Sequence, residues 1–393
     1  MAALLTLAML GCGLSPGEAD SKSGRVIPSG PPCTKIVRAG AGLAGVFART
    51  RGGEVLCLRG GRYAGVRVPA DATDTRRFVT VRSAPGERAV IVGELSFDHA
   101  RRLCLRELKF IGGLAFQPAA AHVRLIRNEL TGPAGIFFYG DASLGGSSRS
   151  VLIEGNRIHD LDYRGSQSVH NGYGIKSIGT QNGFTVRGNT FERLAADYVQ
   201  TDTARNWTVE GNTFLGPSLA GTHPQEHQDL WQIYAGGRNI EFADNVARGT
   251  GTSQSLLFQM TYPGDHFAKV SVVDNLFDHD SDGYSCQLYQ SAGLVFRRNT
   301  IVGSTYGCIF RSEPGYADGS GYRVERNIFD ARDSAALGFE GDARRWGVFA
   351  YNVSTDGSAR GPRSVRNWRA AWSDGQDYIP QGLPFAAGYR PPN

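Results

Sequence analysis

The chain has 393 residues, more than one compact core usually takes, with 52 Gly and only 3 Met, the composition of a turn-dense β fold. Its 42 Lys and Arg against 37 Asp and Glu leave a net charge of +5. That excess is too small to argue for a nucleic-acid partner and is compatible with an acidic polymer.

Met1 to Gly11 is an apolar run that ends at Cys12 and gives way to Ser, Pro, Gly and acidic residues. It is too short to span a membrane as a structural helix, and residues 1–20 read as a secretion signal. Leu10-Gly11-Cys12 resembles a bacterial lipoprotein cleavage site. The expected location is therefore outside the cytoplasm, secreted to the exterior or periplasm or held at a membrane only by a lipid on Cys12. In such a compartment Cys33 with Cys57 is a candidate disulfide. Cys286 and Cys308, 22 residues apart, are expected to stack, either bridged or as two buried thiols, while Cys104 is expected to be buried or left over. Residues 21–65 hold a Pro, Gly and Ser-rich linker, a small-residue segment (AGAGLAGVFARTRGG), an apolar strand (EVLCL) and the turn RGGRYAG.

Residues 66–355 repeat. The octet template is apolar, any, apolar, any, any, Asn, any, apolar. FTVRGNTF around Asn189 and WTVEGNTF around Asn212 fill it most clearly. Further copies centre on Asn128, Asn156, Asn245, Asn275, Asn299, Asn327 and Asn352, and Leu108 takes the Asn place in an earlier copy. Successive Asn residues lie 23 to 33 residues apart, a period that signals stacked supersecondary units. Positions 1 and 3 alternate as a half-buried strand does, and position 8 begins a second strand after a bend. Asn is expected to take the left-handed conformation at that bend and to bond to the same amide one layer above and below. The missing 3.6 period excludes helical solenoids and the missing Leu spacing excludes leucine-rich repeats, which leaves an all-β parallel β-helix of about ten coils. Residues 356–393 lose the repeat and read as an irregular closing tail along the last coil.

Each coil also carries a strand upstream of its template, such as Gly174 to Ile178, Tyr198 to Asp202 and Leu230 to Tyr234. Alternation makes Ile175, Val199, Trp231 and Phe258 interior and Lys176, Gln200, Gln232 and Gln259 exterior, a polar column on one face. Long loops at 157–173, 215–228 and 261–269 flank this face and make it a groove.

With the Asn repeat, the capping segment and the polar column placed, residues 33–355 resemble the right-handed parallel β-helix superfamily of pectate lyases, chondroitinase B and alginate lyases, mannuronan epimerases and phage tailspikes. The resemblance implies a single-stranded right-handed solenoid, a short helix capping its first end, and a polysaccharide partner. Neither the calcium and Lys/Arg signature of the chondroitinase B and alginate lyase family nor the Asp-Pro-His stretch of the epimerases is present. THPQEHQDLWQ, from Thr222, resembles the His-x-Asp-x-x-Gln stretch of many secreted β-helix proteins and brings His223, Glu226, His227 and Asp229 to the groove. Asp197 repeats the Asp-x-x-Gln spacing one coil earlier, and His170, Tyr173 and Lys176 lie one coil before that.

With strands about 4.8 Å apart, Lys176, Gln200 and Gln232 span about 10 Å and can meet one glycosidic linkage. A uronate lyase or C5-epimerase must neutralise a carboxylate and abstract the adjacent proton, and a lyase must also protonate the leaving oxygen. Lys176 is the candidate for neutralisation or base, His170 or His227 for base, and Tyr173 or Tyr198 for acid, with Asp229 beside them. Gln200, Asp202, Gln232, Gln259 and Tyr173 are candidate sugar contacts, and Arg311, about 24 Å from Lys176, is a candidate for a distal sugar. Two alternatives stay open: a glycoside hydrolase using Asp197 and Asp229, and a carbohydrate-binding or cell-surface solenoid without catalysis. Asp278, Asp280 and Asp282 match the first half of a calcium loop, although its twelfth position is Tyr289. The chain is expected to act as a monomer.

Overall fold

The computed structural model describes residues 30–389 apart from 71–73, 141–146, 163–170, 217–227, 251–253, 279–282, 333–335, 360, 367, 369–377 and 379. Alternating and β-branched segments bounded by Gly bends give strands almost throughout, and every ladder between named strands is parallel. Each coil contributes three short strands, so the chain winds three faces around one core. The first face holds the template strands, from Val55–Leu58 through Val123 and Phe184 to Gly347–Ala350. The second holds, among the described residues, twelve strands from Gly61–Ala64 to Val353–Ser354, of which the last nine each follow a template Asn. The third holds the upstream strands, among them Ile136–Phe138, Asp229–Ile233, Gln254–Phe258 and Tyr306–Arg311. Two long strands, Ile175–Arg187 and Val199–Glu210, run unbroken from the third face into the first.

The template Asn residues form one continuous buried ladder from Asn128 to Asn352. The side-chain oxygen of each accepts the backbone N–H and the amide Nδ2 of the Asn one coil before; for Asn212 both donors belong to Asn189, at 2.9 and 3.0 Å. The same Nδ2 also donates to a carbonyl of the previous template, as Asn212 does to Val186 at 2.9 Å. Leu108 fills the place before the ladder, its N–H donating to Asn128 Oδ1 at 3.1 Å.

The left-handed residue of the bend is not the Asn but the one before it. Glu107, Arg127, Gly155, Gly188, Gly211, Asp244, Asp274, Arg298, Arg326 and Tyr351 all have φ between 52° and 63°. A positive φ there turns the chain sharply and leaves the Asn side chain inside, where its amide is needed. Gly at 155, 188 and 211 takes that conformation without a Cβ penalty, and the other copies tolerate it at a cost of about 1 kcal/mol.

Apolar positions of all three faces meet in one core. Phe97, Phe116 and Phe138 stack with centroids 5.6 and 4.8 Å apart, Phe138 meets Phe184 edge-on at 5.0 Å, and Phe184 stacks on Trp207 at 4.4 Å. Ile175, Val199, Trp231 and Phe258 are buried in it, on the side that alternation assigns them. At the first end the helix Leu43–Phe47 adds Leu43, Val46 and Phe47 to the core, with Phe47 edge-on to Phe97 at 5.3 Å.

Disulfides join Cys33 to Cys57 and Cys286 to Cys308. Cys286 and Cys308 face each other across adjacent coils, so the stacked pair is bridged. Cys104 is buried, and no described cysteine is a free thiol. The tail does more than follow the last coil: it runs back over the second face. Trp368 and Ala387 pack on Ile328 and Val353, Gly388 N donates to the Arg326 carbonyl, and Tyr389 N donates to Thr300 Oγ1 at 2.8 Å. Among the described residues no helix is long and apolar enough to cross a membrane. The segment 1–29, with Cys12, lies outside the described residues.

Candidate functional site

Register, rather than sequence proximity, assembles the site on the third face. Phe137, Lys176, Gln200 and Gln232 pair in direct succession across four adjacent coils. The next member of that row is Leu257, not Gln259, since Gln232 pairs with Leu257. Leu256-Leu257-Phe258 is apolar on both parities, so alternation alone does not locate the strand's start, and Gln259 falls two residues beyond the row. Arg311 is displaced in the same way. It pairs with Tyr289, sits 5.8 Å from that ring and meets Glu340 at 3.5 Å, five coils from Lys176.

The column is outward in direction but not open along its length. Lys176 is half-buried, while Gln200 and Gln232 are 3% and 1% exposed. Gln200 Nε2 donates to Asp197 Oδ2 at 2.7 Å and to Gln232 Oε1 at 2.8 Å. Asp197 Oδ1 accepts the backbone N–H of Asp229 at 2.8 Å, and the Asp229 carbonyl accepts Tyr198 N–H at 2.8 Å. Asp197 and Asp229 are both 0% exposed. This amide and carboxylate network ties two adjacent coils together, and both oxygens of Asp197 are spent on it. A hydrolytic pair made of Asp197 and Asp229 would need carboxylates open to substrate and water, which this burial denies.

Lys176 Nζ lies 3.8 Å from the centre of the Tyr173 ring, and Tyr173 is itself buried. A cation over a π face keeps its charge while its stem is desolvated. Asp202 Oδ2 accepts Gly179 N–H at 2.7 Å. Burial raises the Asp202 carboxyl above its ordinary range, opposed by the Gly179 bond and by the Lys176 charge. Lys176 and Asp202 thus supply a fixed cation and a carboxyl that titrates late, on one surface.

Tyr198 does not share that surface. Its ring is buried in the core against Phe191 and Phe214, and its hydroxyl donates to the Leu215 carbonyl at 3.3 Å. Burial raises its phenol well above the ordinary value, so as a proton donor to substrate it is withdrawn in both place and acidity. The reason is phase: Tyr198 shares parity with Gln200, but it precedes the regular strand, where the chain is still turning inward. His170 and His227, with His223 and Glu226, lie outside the described residues, as do Asp280 and Asp282. Asp278, the described member of the calcium triplet, makes a side-chain hydrogen bond with Tyr378, whose phenol burial and Asp278 push up to about 12. Among the described residues no group of three or more His, Cys, Asp or Glu is placed to hold a metal.

Two neighbours escaped the sequence reading. Phe137 and Tyr139 stand one coil before Lys176, their rings 4.2 Å apart, and Tyr139 is half-buried. Burial, and secondarily the Glu94 charge, raises the Tyr139 phenol, and burial raises the Glu94 carboxyl. In this aromatic ledge Phe137 is 3% exposed and backs the half-buried Tyr139, which is the ring left open one coil before the Lys176 cation. The signal was present in IFFY, but its coil precedes the polar column and Phe137 breaks the polar pattern.

The family model described as right handed beta helix region matches residues 113–329. No curated sequence matches the chain. Among solved structures, a variant of the PL6-family alginate lyase AlyGC superposes with a TM-score of 0.53 at 12% identity, covering 90% of this chain and 56% of that one. The surface adhesin PfbA of Streptococcus pneumoniae gives a TM-score of 0.48 at 12% identity, covering 69% and 83%. The A-module of the Azotobacter vinelandii mannuronan C-5 epimerase AlgE6 gives 0.43 at 14% identity, covering 84% and 93%. At such identities the shared property is the solenoid. The profile match spans more than half of the chain and coincides with the Asn ladder and the three-faced coil: the chain belongs to the right-handed β-helix family.

Proposed function

We propose that this chain is an exported carbohydrate-active protein whose third face processes an acidic polysaccharide as a lyase or C5-epimerase. The observation that carries the reading is Lys176, a cation held on the Tyr173 ring between the aromatic ledge of Phe137 and Tyr139 and the interlocked Gln200 and Gln232. Both reactions begin by neutralising a uronate carboxylate, which acidifies the proton on the adjacent carbon. Lys176 is the described group suited to that step, and the half-buried Tyr139 ring of the ledge offers a surface for the sugar. The proton is then taken by a base, for which His170 and His227 are the candidates. A lyase expels the linked oxygen with formation of a double bond, whereas an epimerase returns a proton to the opposite face. The solenoid is a fold shared with the alginate lyase AlyGC, which supports this class of reaction. Export is supported by the disulfides Cys33 to Cys57 and Cys286 to Cys308, which persist in oxidising compartments.

The test is incubation with alginate, polygalacturonate, a glycosaminoglycan and a neutral glucan. A lyase yields ultraviolet absorbance from unsaturated uronates, and an epimerase yields altered uronate signals by NMR with no change in chain length. Reducing ends without absorbance would identify a hydrolase and overturn the proposal, and binding without product would identify a non-catalytic solenoid.

A further inference from the structure

At the corner where the third face passes into the first, a second row of polar residues runs along the axis. Arg101, Ala121, Arg149, Asn182, Arg205 and Arg238 are successive partners in parallel register, one per coil. The four arginines are exposed, and among the described residues Arg149, Arg205 and Arg238 form no ion pair. Asn182 lies six residues past Lys176 in the same strand, with the bend at Gly179 between them, so the row is at most about 20 Å from the column of the third face. His122, beside Ala121, reports the local field. It is held below its ordinary value by burial and by Arg102, Arg149, Arg124 and Arg101.

We propose that this row is a second binding track, separate from the site on the third face, for a linear acidic polysaccharide lying parallel to the solenoid axis. The polymer class is the one proposed above; the track does not depend on whether the other face catalyses. Arg101, Arg149 and Arg205 recur every second coil, about 10 Å apart by the strand spacing, close to the length of a disaccharide. In a polyuronate whose alternate sugars are turned over, carboxylates on one side recur once per disaccharide, so each can meet a guanidinium as a charge-assisted pair.

Hydroxyls have partners too. Asn206 Nδ2 donates to Asn182 Oδ1 and Asn239 Nδ2 donates to Asn206 Oδ1, both at 2.7 Å, which leaves Asn206 and Asn239 each a second amide hydrogen. The exposed large apolar residues among those described are Ile36, Tyr262 and Val348, none of them on the row. It therefore lacks the aromatic platform that single-stranded nucleic acids use and the apolar face that a membrane helix needs.

Affinity electrophoresis of the full chain in gels containing alginate, polygalacturonate, DNA or dextran tests this. The wild type and the Lys176→Ala variant are expected to be retarded by the two polyuronates and not by dextran. The triple variant Arg149→Glu, Arg205→Glu, Arg238→Glu is expected to lose about tenfold or more in affinity, while the corresponding triple Lys variant keeps most of it. Retardation of the Glu variant equal to wild type, no retardation of the wild type, or equally strong retardation by DNA would each overturn the track. Product formation by the Glu variant on short oligouronates reads the third face independently, so failure of one proposal is distinguishable from failure of the other.

Discussion

Lys176 Nζ stands 3.8 Å from the centre of the Tyr173 ring, and that ring is 2% exposed. A buried aromatic face thus fixes the one described cation in register with Gln200 and Gln232. The contact orients the ammonium, and the Asp202 carboxyl shares its surface.

Removing the ring should show that role. Tyr173→Phe keeps the face and should keep most of the activity on a polyuronate. Tyr173→Leu should lower kcat/KM about tenfold, in line with a partly desolvated cation–π contact. Steady-state kinetics on the polymer found to be the substrate would check it; equal losses in both variants would assign the effect to the hydroxyl.

Tyr198 is predicted to be dispensable for chemistry. Its hydroxyl bonds inward to the Leu215 carbonyl, so Tyr198→Phe should cost about 1 kcal/mol of stability and leave kcat unchanged. Denaturant unfolding and initial rates would separate the two effects. A collapse in kcat with stability intact would restore Tyr198 as the acid.

The Asn ladder should be the chief specific polar contribution to coil stacking. Asn212→Ala removes the acceptor of two Asn189 donors and two donations of its own, all buried. The expected loss is about 2 to 4 kcal/mol, read from denaturant unfolding, against about 0.5 kcal/mol or less for the exposed Glu241→Ala. Similar losses at both sites would contradict a buried, cooperative ladder.

Asp202 makes stability depend on pH in a definite direction. Its folded-state pKa is raised by burial, so between its unfolded and folded values the native state binds more protons than the unfolded chain. Stability then falls as pH rises through that window, and the penalty is fully present above it. Asp202→Asn keeps an acceptor for Gly179 and removes the buried charge. The variant should gain in melting temperature relative to wild type near about pH 8 and show that relative gain diminished near about pH 3. A difference constant across pH would mean that the carboxyl is not perturbed in the native state.

The solenoid was readable because its determinant is local and repeated. Asn at one place in every octet leaves few folds to consider, and the ladder from Asn128 to Asn352 follows that placement. The bend was misplaced by one residue because Asn satisfies two requirements, tolerance of positive φ and ladder bonding, and only the second operates here. At the site, period-two alternation correctly turned Gln200 and Gln232 away from the core, but direction is not exposure. Only the hydrogen bonds to Asp197 show why two outward amides are closed to solvent. The arginine row remained illegible because its members are separated by whole coils of unequal length. Arg149 and Arg205 align only after the intervening coils are in register.

In the proposed function Lys176 on the third face neutralises a uronate during lyase or epimerase chemistry. The direct measurement is product formation from polyuronates by the wild type and by Lys176→Ala, followed by ultraviolet absorbance and NMR, with native folding of both confirmed by their melting curves. Turnover by the wild type is expected, with a loss of at least about a hundredfold in kcat/KM for the variant, the scale of one lost transition-state charge contact. Turnover that survives in Lys176→Ala at the wild-type rate would contradict that role of Lys176.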